Sequence, residues 1–400
     1  MKKQIKILAI GCLVSASVCS TFAQGNLTPP GAPAPTMKSL DQIETRTPIS
    51  ALPYTIDIPG SYYITTKLQV AVNSGIVIRA NNVTLDLNGF TISSIQNPAS
   101  TGVAIQVGTT GSGAVKNVTI LNGFISSGVT NNNGTFAGNG FGYGIYNLAL
   151  PSRNVHVSGV TVTGCRYTGI FLGTAANNTL VESCIVDTAG SYGIYAGVVR
   201  DSSVFNCGGT GINADQIVNC RCDSPNASYA LYGRSVYNSV GTSTNGYGIY
   251  SSGVVQNSVG ESRATYGLYA SYSAENCYGF SNPGNGLYAA TAQNCYGNSP
   301  ANTGLTAMTA QNCYGSSIGG LRLSTDTAQS CYGYGNTSGL AANVAIGCYG
   351  YSDSGSAVKA ANASFCTGYG HDGTAFQSTI ATGCYTAFGT NNITYKYNMP

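Results

Sequence analysis

The feature of this 400-residue sequence that most constrains its fold is a short motif, Asn-Cys-Tyr-Gly or a close variant, that recurs at a nearly fixed step. Its cysteines follow one another after 17 or 18 residues and are Cys277, Cys295, Cys313, Cys331, Cys348, Cys366 and Cys384. A second column keeps a similar period, with Gly or Ala before an apolar residue: Ile194, Ile212, Leu231, Ile249, Leu268, Leu287, Leu305, Leu321, Leu340, Val358 and Phe376. Two columns with one period indicate stacked structural repeats.

Each unit is too short to bury an apolar face alone, so the units must stack to form a continuous core. Helical repeats need about 30 residues or more, whereas these units are shorter and rich in Gly, Asn, Thr and Tyr. Residues 83–92, 118–125 and 155–162 alternate apolar and polar side chains, as β-strands do. The sequence therefore predicts an all-β, single-stranded parallel β-helix, or β-solenoid, with coils of about 18–19 residues.

The segments VTLDLNGFTI and VTILNGFI, behind the leader PPGAPAPTMKSLDQIETRTPI, resemble the right-handed parallel β-helix repeat proteins of the pectin-lyase-like superfamily, in an exported bacterial branch. The resemblance covers residues 37–400 and implies a right-handed solenoid. A left-handed solenoid usually shows an apolar hexapeptide period, which this sequence lacks. Because the fold hosts lyases, hydrolases, adhesins and structural proteins, the resemblance implies little about activity.

The N-terminus predicts export. Lys2, Lys3 and Lys6 form a positive region at the start of an apolar stretch over residues 5–18, and small residues precede Gln24, as in a cleavable signal peptide over residues 1–23. We expect a Pro/Gly/Ala-rich linker over residues 24–36, an N-terminal cap over residues 37–75 and the solenoid over residues 76–400. About fifteen coils at ~4.8 Å per rung would give a rod on the order of 70 Å long. The expected location is outside a bacterial cell, at its surface or in the periplasm, with no membrane span after cleavage.

Charge excludes one class of function. The chain has 17 Lys and Arg against 14 Asp and Glu, and loss of Lys2, Lys3 and Lys6 with the signal peptide leaves 14 of each sign. A groove that binds nucleic acid needs a basic surface. We therefore expect no nucleic-acid partner.

The cysteine column predicts an inward ladder of free thiols. Equivalent residues in adjacent coils lie about 4.8 Å apart, whereas the Cβ atoms of a disulfide need about 3.8 Å. With two His and no Cys-x-x-Cys pair, the chain predicts no metal site. A parallel column predicts a ladder of turn residues: Asn206, Asn219, Asn238, Asn257, Asn276, Asn294 and Asn312.

Tyrosines follow the cysteine column by one residue, and strand alternation turns them outward if the cysteines face inward. Tyr278, Tyr296, Tyr314 and Tyr332 are accordingly the predicted ligand-binding residues, because aromatic faces stack on sugar rings. A second stripe contains Tyr250, Tyr269 and Tyr288. The alternatives are an aromatic ladder that packs on itself and a surface for association with a partner.

Catalytic residues are harder to assign, because carboxylates are sparse. The candidates come from the densest charged region and are Asp187, Arg200, Asp201, Arg221 and Asp223. Asp187 and Asp223 fall at one coil position two coils apart, roughly 10 Å, which is too wide for a paired-carboxylate site on its own. His156 and His371 lie far apart in the array. Apart from an insertion at residues 126–143, the coils leave no room for loops that would wall a cleft.

These observations favour an exported, non-catalytic surface or matrix scaffold whose outward Tyr stripes bind carbohydrate. The alternative is a polysaccharide lyase or glycoside hydrolase of the pectin-lyase-like superfamily. A self-assembling envelope component is a third reading. We expect no cofactor, with calcium only in the case of a lyase. A polysaccharide or cell-envelope component is the expected partner, and the sequence leaves the oligomeric state and the redox state of the thiols open.

Overall fold

The computed structural model describes residues 44–71, 74–96, 102–110, 113–148, 152–173, 178–319 and 321–399, without the side chains of Leu321 and Arg322. The predicted signal peptide, the linker and the first part of the predicted cap lie outside the described residues. Thr47–Pro400 forms one compact unit. Within the described ranges, no helix is long and apolar enough to cross a membrane.

The described residues form strands joined by short turns. In chain order the strands are β1 (Thr47–Ile49), β2 (Tyr54–Ile56), β3 (Gly60–Ile64), β4 (Leu68–Val70), β5 (Ile76–Ile78), β6 (Val83–Asp86), β7 (Thr91–Ser94), β8 (Val103–Val107), β9 (Lys116–Ser126), β10 (Thr130–Asn132), β11 (Thr135–Ala137), β12 (Tyr143–Asn147), β13 (Arg153–Cys165), β14 (Thr168–Phe171), β15 (Thr179–Glu182), β16 (Ile185–Ala189), β17 (Ile194–Arg200), β18 (Ser203–Cys207), β19 (Thr210–Val218), β20 (Arg221–Asp223), β21 (Tyr229–Tyr237), β22 (Val240–Ser243), β23 (Tyr247–Gln256), β24 (Val259–Ser262), β25 (Tyr266–Glu275), β26 (Tyr278–Ser281), β27 (Asn285–Gln293), β28 (Tyr296–Ser299), β29 (Leu305–Gln311), β30 (Tyr314–Ser317), β31 (Leu321–Gln329), β32 (Tyr332–Gly335), β33 (Ser338–Ile346), β34 (Tyr349–Ser352), β35 (Ser356–Ser364), β36 (Thr367–Thr382) and β37 (Tyr385–Tyr397).

These strands pair in parallel with the next coil and form three stacks, named A, B and C in the order in which a coil passes through them. Stack A begins β1–β3–β6–β9, stack B begins β4–β7–β9, and stack C begins β2–β5–β8–β12. From β17 to β35 one long strand runs through C and then A, and a short strand forms B, whereas β36 and β37 each run through B, C and A. The predicted single-stranded parallel β-solenoid is confirmed, with about 18 coils.

The coil count exceeds the expected fifteen because stacking begins early in the chain. Strands β1 to β4 lie within the segment assigned to a cap, residues 37–75, and already pair in parallel with β3, β5, β6 and β7. The predicted insertion contains an antiparallel hairpin of β10 and β11. Its Asn131 donates a hydrogen bond from Nδ2 to Oδ1 of Asn206 at 2.6 Å, which ties the hairpin to a coil.

The apolar column forms the inner side of stack C, where Ile249, Leu268, Leu287 and Leu305 are fully buried. One predicted member is wrong. Leu305 pairs with Leu323, which pairs with Leu340, so Leu323 and not Leu321 continues the column. The Gly-Leu dipeptide at 320–321 resembles the motif, but strand alternation places the second leucine inward.

Glycine lines the inner side of stack B and explains why Gly follows Tyr in the repeated motif. A Cβ atom added at Gly297 would lie 2.2 Å from the carbonyl oxygen of Gly304, at the start of stack C. The same conflict recurs at Gly279, with a contact of 2.4 Å to the oxygen of Gly286. From Gly241 onward the inner sides of B and C therefore meet backbone to backbone, and glycine fits between them, whereas the preceding rungs carry Val186, Val204 and Cys222 at this position.

The predicted thiol ladder is confirmed. The twelve described cysteines are buried and free. Nine of them share an inward column at the corner between A and B with three serines, in the order Cys184, Ser202, Cys220, Ser239, Ser258 and then Cys277 to Cys384. The other three, Cys165, Cys207 and Cys222, are buried inside stack B. Burial raises the pKa of Cys184 and of Cys220 to about 11, so these thiols stay protonated at neutral pH.

The asparagine ladder occupies the preceding corner position, in the left-handed conformation that Asn tolerates. Each amide donates from Nδ2 to Oδ1 of the coil before it, as Asn238 does to Asn219 at 3.1 Å. The ladder begins on Asp201, whose Oδ1 accepts from Asn219 at 3.0 Å. Asn206 is not a member, because it lies in stack B and donates to Thr188.

Candidate functional site

The predicted ligand-binding tyrosines form a continuous ladder on the outer side of stack B. We call it track B, and its members are Tyr278, Tyr296, Tyr314, Tyr332 and Tyr349. All five side chains are half-buried. Consecutive ring centroids lie 5.2, 4.8, 4.9 and 4.8 Å apart along the track. The outward direction expected from the buried cysteines is therefore observed.

Ring orientation divides track B into two parts. The rings of Tyr314, Tyr332 and Tyr349 are nearly parallel, with interplanar angles of 6° and 4°. Between Tyr296 and Tyr314 the angle is 68°, so that one ring edge faces the other ring. A shallow, open notch of about 280 Å³ lies at this break and is lined by Tyr296 and Tyr314. The notch is the place on the track where two aromatic surfaces converge.

The parallel part of track B still offers ring faces to a ligand. Parallel aromatic rings prefer an offset arrangement with centroids about 4.5–7 Å apart, and the centroid distance of 4.8 Å between Tyr332 and Tyr349 fits this arrangement. Each ring then overlaps only part of the next one and leaves part of its own face uncovered. Self-packing of the ladder and contact with a ligand are therefore compatible.

A second aromatic column lies two residues further along each stack B strand, near the C-terminal end. Its members are Tyr334, Tyr351, Tyr369 and Phe388, with centroids 4.8 to 5.4 Å apart. Tyr351 donates a hydrogen bond from its hydroxyl to Oδ1 of Asp353 at 2.7 Å, which raises the pKa of Tyr351 to about 12. The outer side of stack B is aromatic over two columns in this part of the rod.

The five catalytic candidates do not gather at one place. Asp187, Arg221 and Asp223 lie on stack B, where Asp187 pairs with Phe205 and Phe205 with Asp223. The two carboxylates thus share one column with an aromatic ring between them, two rungs or about 10 Å apart. Arg200 lies at the end of stack A. Asp201 is the first member of the asparagine ladder, where its carboxylate has a structural partner.

The structure contains a cluster of charged side chains that was not predicted from the sequence. Glu182 accepts a hydrogen bond from Nε of Arg200 at 2.7 Å and lies 2.8 Å from Nε2 of His156. All three residues are on stack A in consecutive coils. Burial raises the pKa of Glu182, but the hydrogen bonds and charges of Arg200 and His156 lower it by more, so that the net pKa is lowered.

We expect Glu182→Gln to lower the free energy of unfolding by about 1 kcal/mol at pH 7, because Arg200 loses its ionic partner. A carboxylate with a lowered folded-state pKa stabilises the fold above its unfolded pKa, and that stability is lost as the pH falls through the folded pKa. The difference between wild type and variant should therefore vanish in acid. Denaturant titrations between pH 7 and pH 3 test this, with the exposed Glu261→Gln as the control. A pH-independent difference would contradict the assignment.

No metal site emerges from the geometry. Over the described ranges, no three His, Cys, Asp or Glu side chains are grouped so that they could hold a metal ion.

The solved structures that are similar to this chain include two from Azotobacter vinelandii. The A-module of mannuronan C-5 epimerase AlgE6 is 13% identical, with a TM-score of 0.34, over 85% of this chain and 90% of that one. The A-module of mannuronan C-5 epimerase AlgE4 is 11% identical, with a TM-score of 0.28, over 86% and 88%. No protein-family model and no curated protein sequence matches this chain. The strand pairings of the chain itself, and not these similarities, establish its fold.

Proposed function

We propose that this protein is an exported, non-catalytic scaffold that holds a polysaccharide chain along track B. The observation that carries the proposal is the shallow notch of about 280 Å³ at Tyr296 and Tyr314, where the ladder of half-buried rings changes from tilted to parallel stacking. Sugar rings bind to aromatic side chains through their apolar C–H faces. A single pyranose ring that enters the notch contacts two tyrosines.

The spacing of the ladder also suits an extended polymer. Rungs repeat every 4.8 to 5.2 Å along track B, close to the length that one pyranose residue adds to an extended chain. Consecutive sugar residues can therefore occupy equivalent positions on consecutive rungs. The phenolic hydroxyls lie beside the ring faces and supply hydrogen-bond donors and acceptors at the same spacing.

One observation favours the alternative, a polysaccharide-degrading enzyme. His156 has a carboxylate partner in Glu182 and a cation nearby in Arg200, which is the arrangement of a general base with an orienting group. The group lies on stack A, whereas track B lies on stack B. A calcium ion enters only this alternative, in the case of a lyase.

We expect Tyr296→Ala/Tyr314→Ala to weaken retention of polysaccharide by about 10- to 100-fold. Loss of one well-placed aromatic contact costs about 0.5–1.5 kcal/mol beyond its buried area, and 1.4 kcal/mol is a factor of about ten. The measurement is affinity electrophoresis on a panel of neutral and acidic polysaccharides, with bond cleavage assayed in parallel, with and without calcium. The matched control is Tyr272→Ala, which removes an exposed tyrosine outside the tracks.

Equal retention by wild type and double variant would overturn the assignment to track B. Release of reducing ends or unsaturated uronate, abolished by Glu182→Gln, would replace the scaffold by the enzyme. Failure of wild type to retain any member of the panel would overturn the proposed function itself.

A further inference from the structure

A second aromatic surface covers the outer side of stack C. We call it track C, and its members are Tyr229, Tyr232, Tyr247, Tyr250, Tyr266, Tyr269 and Tyr288. All seven side chains are half-buried. The sequence predicts the stripe of Tyr250, Tyr269 and Tyr288, but it does not show that a companion column lies beside it. Track C is therefore wider than track B.

Track C consists of two columns of rings. In one column Tyr232, Tyr250, Tyr269 and Tyr288 are parallel within 9°, with centroids 4.7 to 5.3 Å apart. In the other column Tyr229, Tyr247 and Tyr266 are parallel within 18°. Rings of different columns meet edge to face, as Tyr247 and Tyr250 do at 84°. The same offset stacking as in track B leaves part of each face uncovered, here over a broader strip.

The side chains that directly flank track C in its own column carry no charge, and the first charged one towards the C-terminus is Lys359, four rungs after Tyr288. Tyr232 pairs with Asn213 on the preceding rung, and Tyr288 pairs with Thr306 on the following rung. The next outward position is Ser324. Aromatic faces flanked by amides and hydroxyls suit a ligand that presents C–H faces and hydroxyls. The chemistry that fits is a neutral pyranose chain.

Tracks B and C point away from each other. The inner sides of stacks B and C are in backbone contact, because a Cβ atom at Gly297 would lie 2.2 Å from the oxygen of Gly304 and one at Gly286 would lie 2.5 Å from the nitrogen of Asn298. The two tracks occupy the opposite, outer sides of these stacks. One straight chain along the rod therefore cannot contact both tracks.

We infer that the protein binds two neutral polysaccharide chains at once, one on each track, and so cross-links them. The inference rests on the proposed function. It adds a second binding site, names the class of ligand and implies that the protein joins polysaccharide chains to one another. A single-track scaffold would coat a polymer, whereas a two-track scaffold joins polymers into a network.

Calorimetry with cellohexaose and turbidity of hydroxyethyl cellulose test the inference on the full chain. We expect two cellohexaose molecules per wild-type protein, and one each for Tyr296→Ala/Tyr314→Ala and Tyr250→Ala/Tyr269→Ala. Both double variants should still bind hydroxyethyl cellulose through the remaining track, more weakly than wild type because the avidity of two tracks is lost, and neither should raise its turbidity as wild type does. Tyr272→Ala should behave as wild type, and thermal unfolding of each variant shows whether it has folded.

The outcomes separate the two proposals. One cellohexaose per wild-type protein, lost in the track B variant and kept in the track C variant, would overturn the two-track inference and leave the proposed function intact. Two molecules per protein in the track C variant would also overturn it. If wild type does not bind cellohexaose, the assignment of neutral chains as ligands is overturned. Retention of only acidic members of the polysaccharide panel would point to the same conclusion.

Discussion

Replacement of Gly297 by Val is expected to lower the free energy of unfolding by about 3 kcal/mol or more, the upper range for an overpacked interior. The added Cβ would lie 2.2 Å from the carbonyl oxygen of Gly304 and 2.8 Å from Cβ of Leu305. The first of these atoms is backbone, so no rotamer change relieves the conflict. Stacks B and C would have to separate, and track B would lose its regular spacing.

Asn298→Val is the matched control, because Asn298 is the next residue of β28 and points outward. It introduces the same side chain with the same β-branched shape into the same strand. Urea denaturation of the two variants decides the point. Equal midpoints for both would mean that the inner side of stack B accommodates a side chain, and the close contact between the stacks would then be refuted.

Leu287→Ala is expected to lower the free energy of unfolding by about 2–5 kcal/mol. Leu287 is fully buried in the middle of the inner column of stack C, between Leu268 and Leu305. Its neighbours belong to the two adjacent coils and are held by strand pairing, so they cannot collapse into the cavity. Thr291→Ala, on the exposed side of the same strand β27, should change the stability by less than about 0.5 kcal/mol.

The location of the effect is as informative as its size. Each coil contacts mainly its neighbours, so a solenoid is destabilised locally. Hydrogen exchange of Leu287→Ala should be faster in β25, β27 and β29 and unchanged in β6 and β9. Uniformly faster exchange along the chain would contradict a nearest-neighbour architecture.

The fold can be predicted from the sequence because the repeated motifs keep a nearly constant spacing, and that spacing equals the length of one coil. The column from Cys277 to Cys384 predicts the solenoid, the burial of the thiols and the outward direction of track B. The prediction fails at Leu321 and Asn206, where a local dipeptide imitates the motif. At Leu321 the deciding factor is the register of strand β31, and at Asn206 it is the stack in which the residue lies; a short motif encodes neither.

The functional surface is less predictable than the fold. Nothing in the Tyr spacing distinguishes the 68° angle between Tyr296 and Tyr314 from the 6° angle between Tyr314 and Tyr332, because ring orientation depends on packing in three dimensions. The contact between His156 and Glu182 spans 26 residues, longer than the regular coil step. An alignment of the alternating patterns at residues 155–158 and 179–182 would have found it.

The asparagine ladder also has a consequence for the chemical stability of the protein. Its hydrogen bonds all run one way, from each amide nitrogen to the oxygen of the coil before, and Asp201 stands at the end where a side chain only needs to accept. Hydrolysis of any later amide to a carboxylate would remove one donor and place two acceptors face to face. Spontaneous loss of ammonia from one of these residues would therefore break the row of hydrogen bonds at that rung, so the asparagine of the ladder that deamidates fastest limits how long the row stays intact.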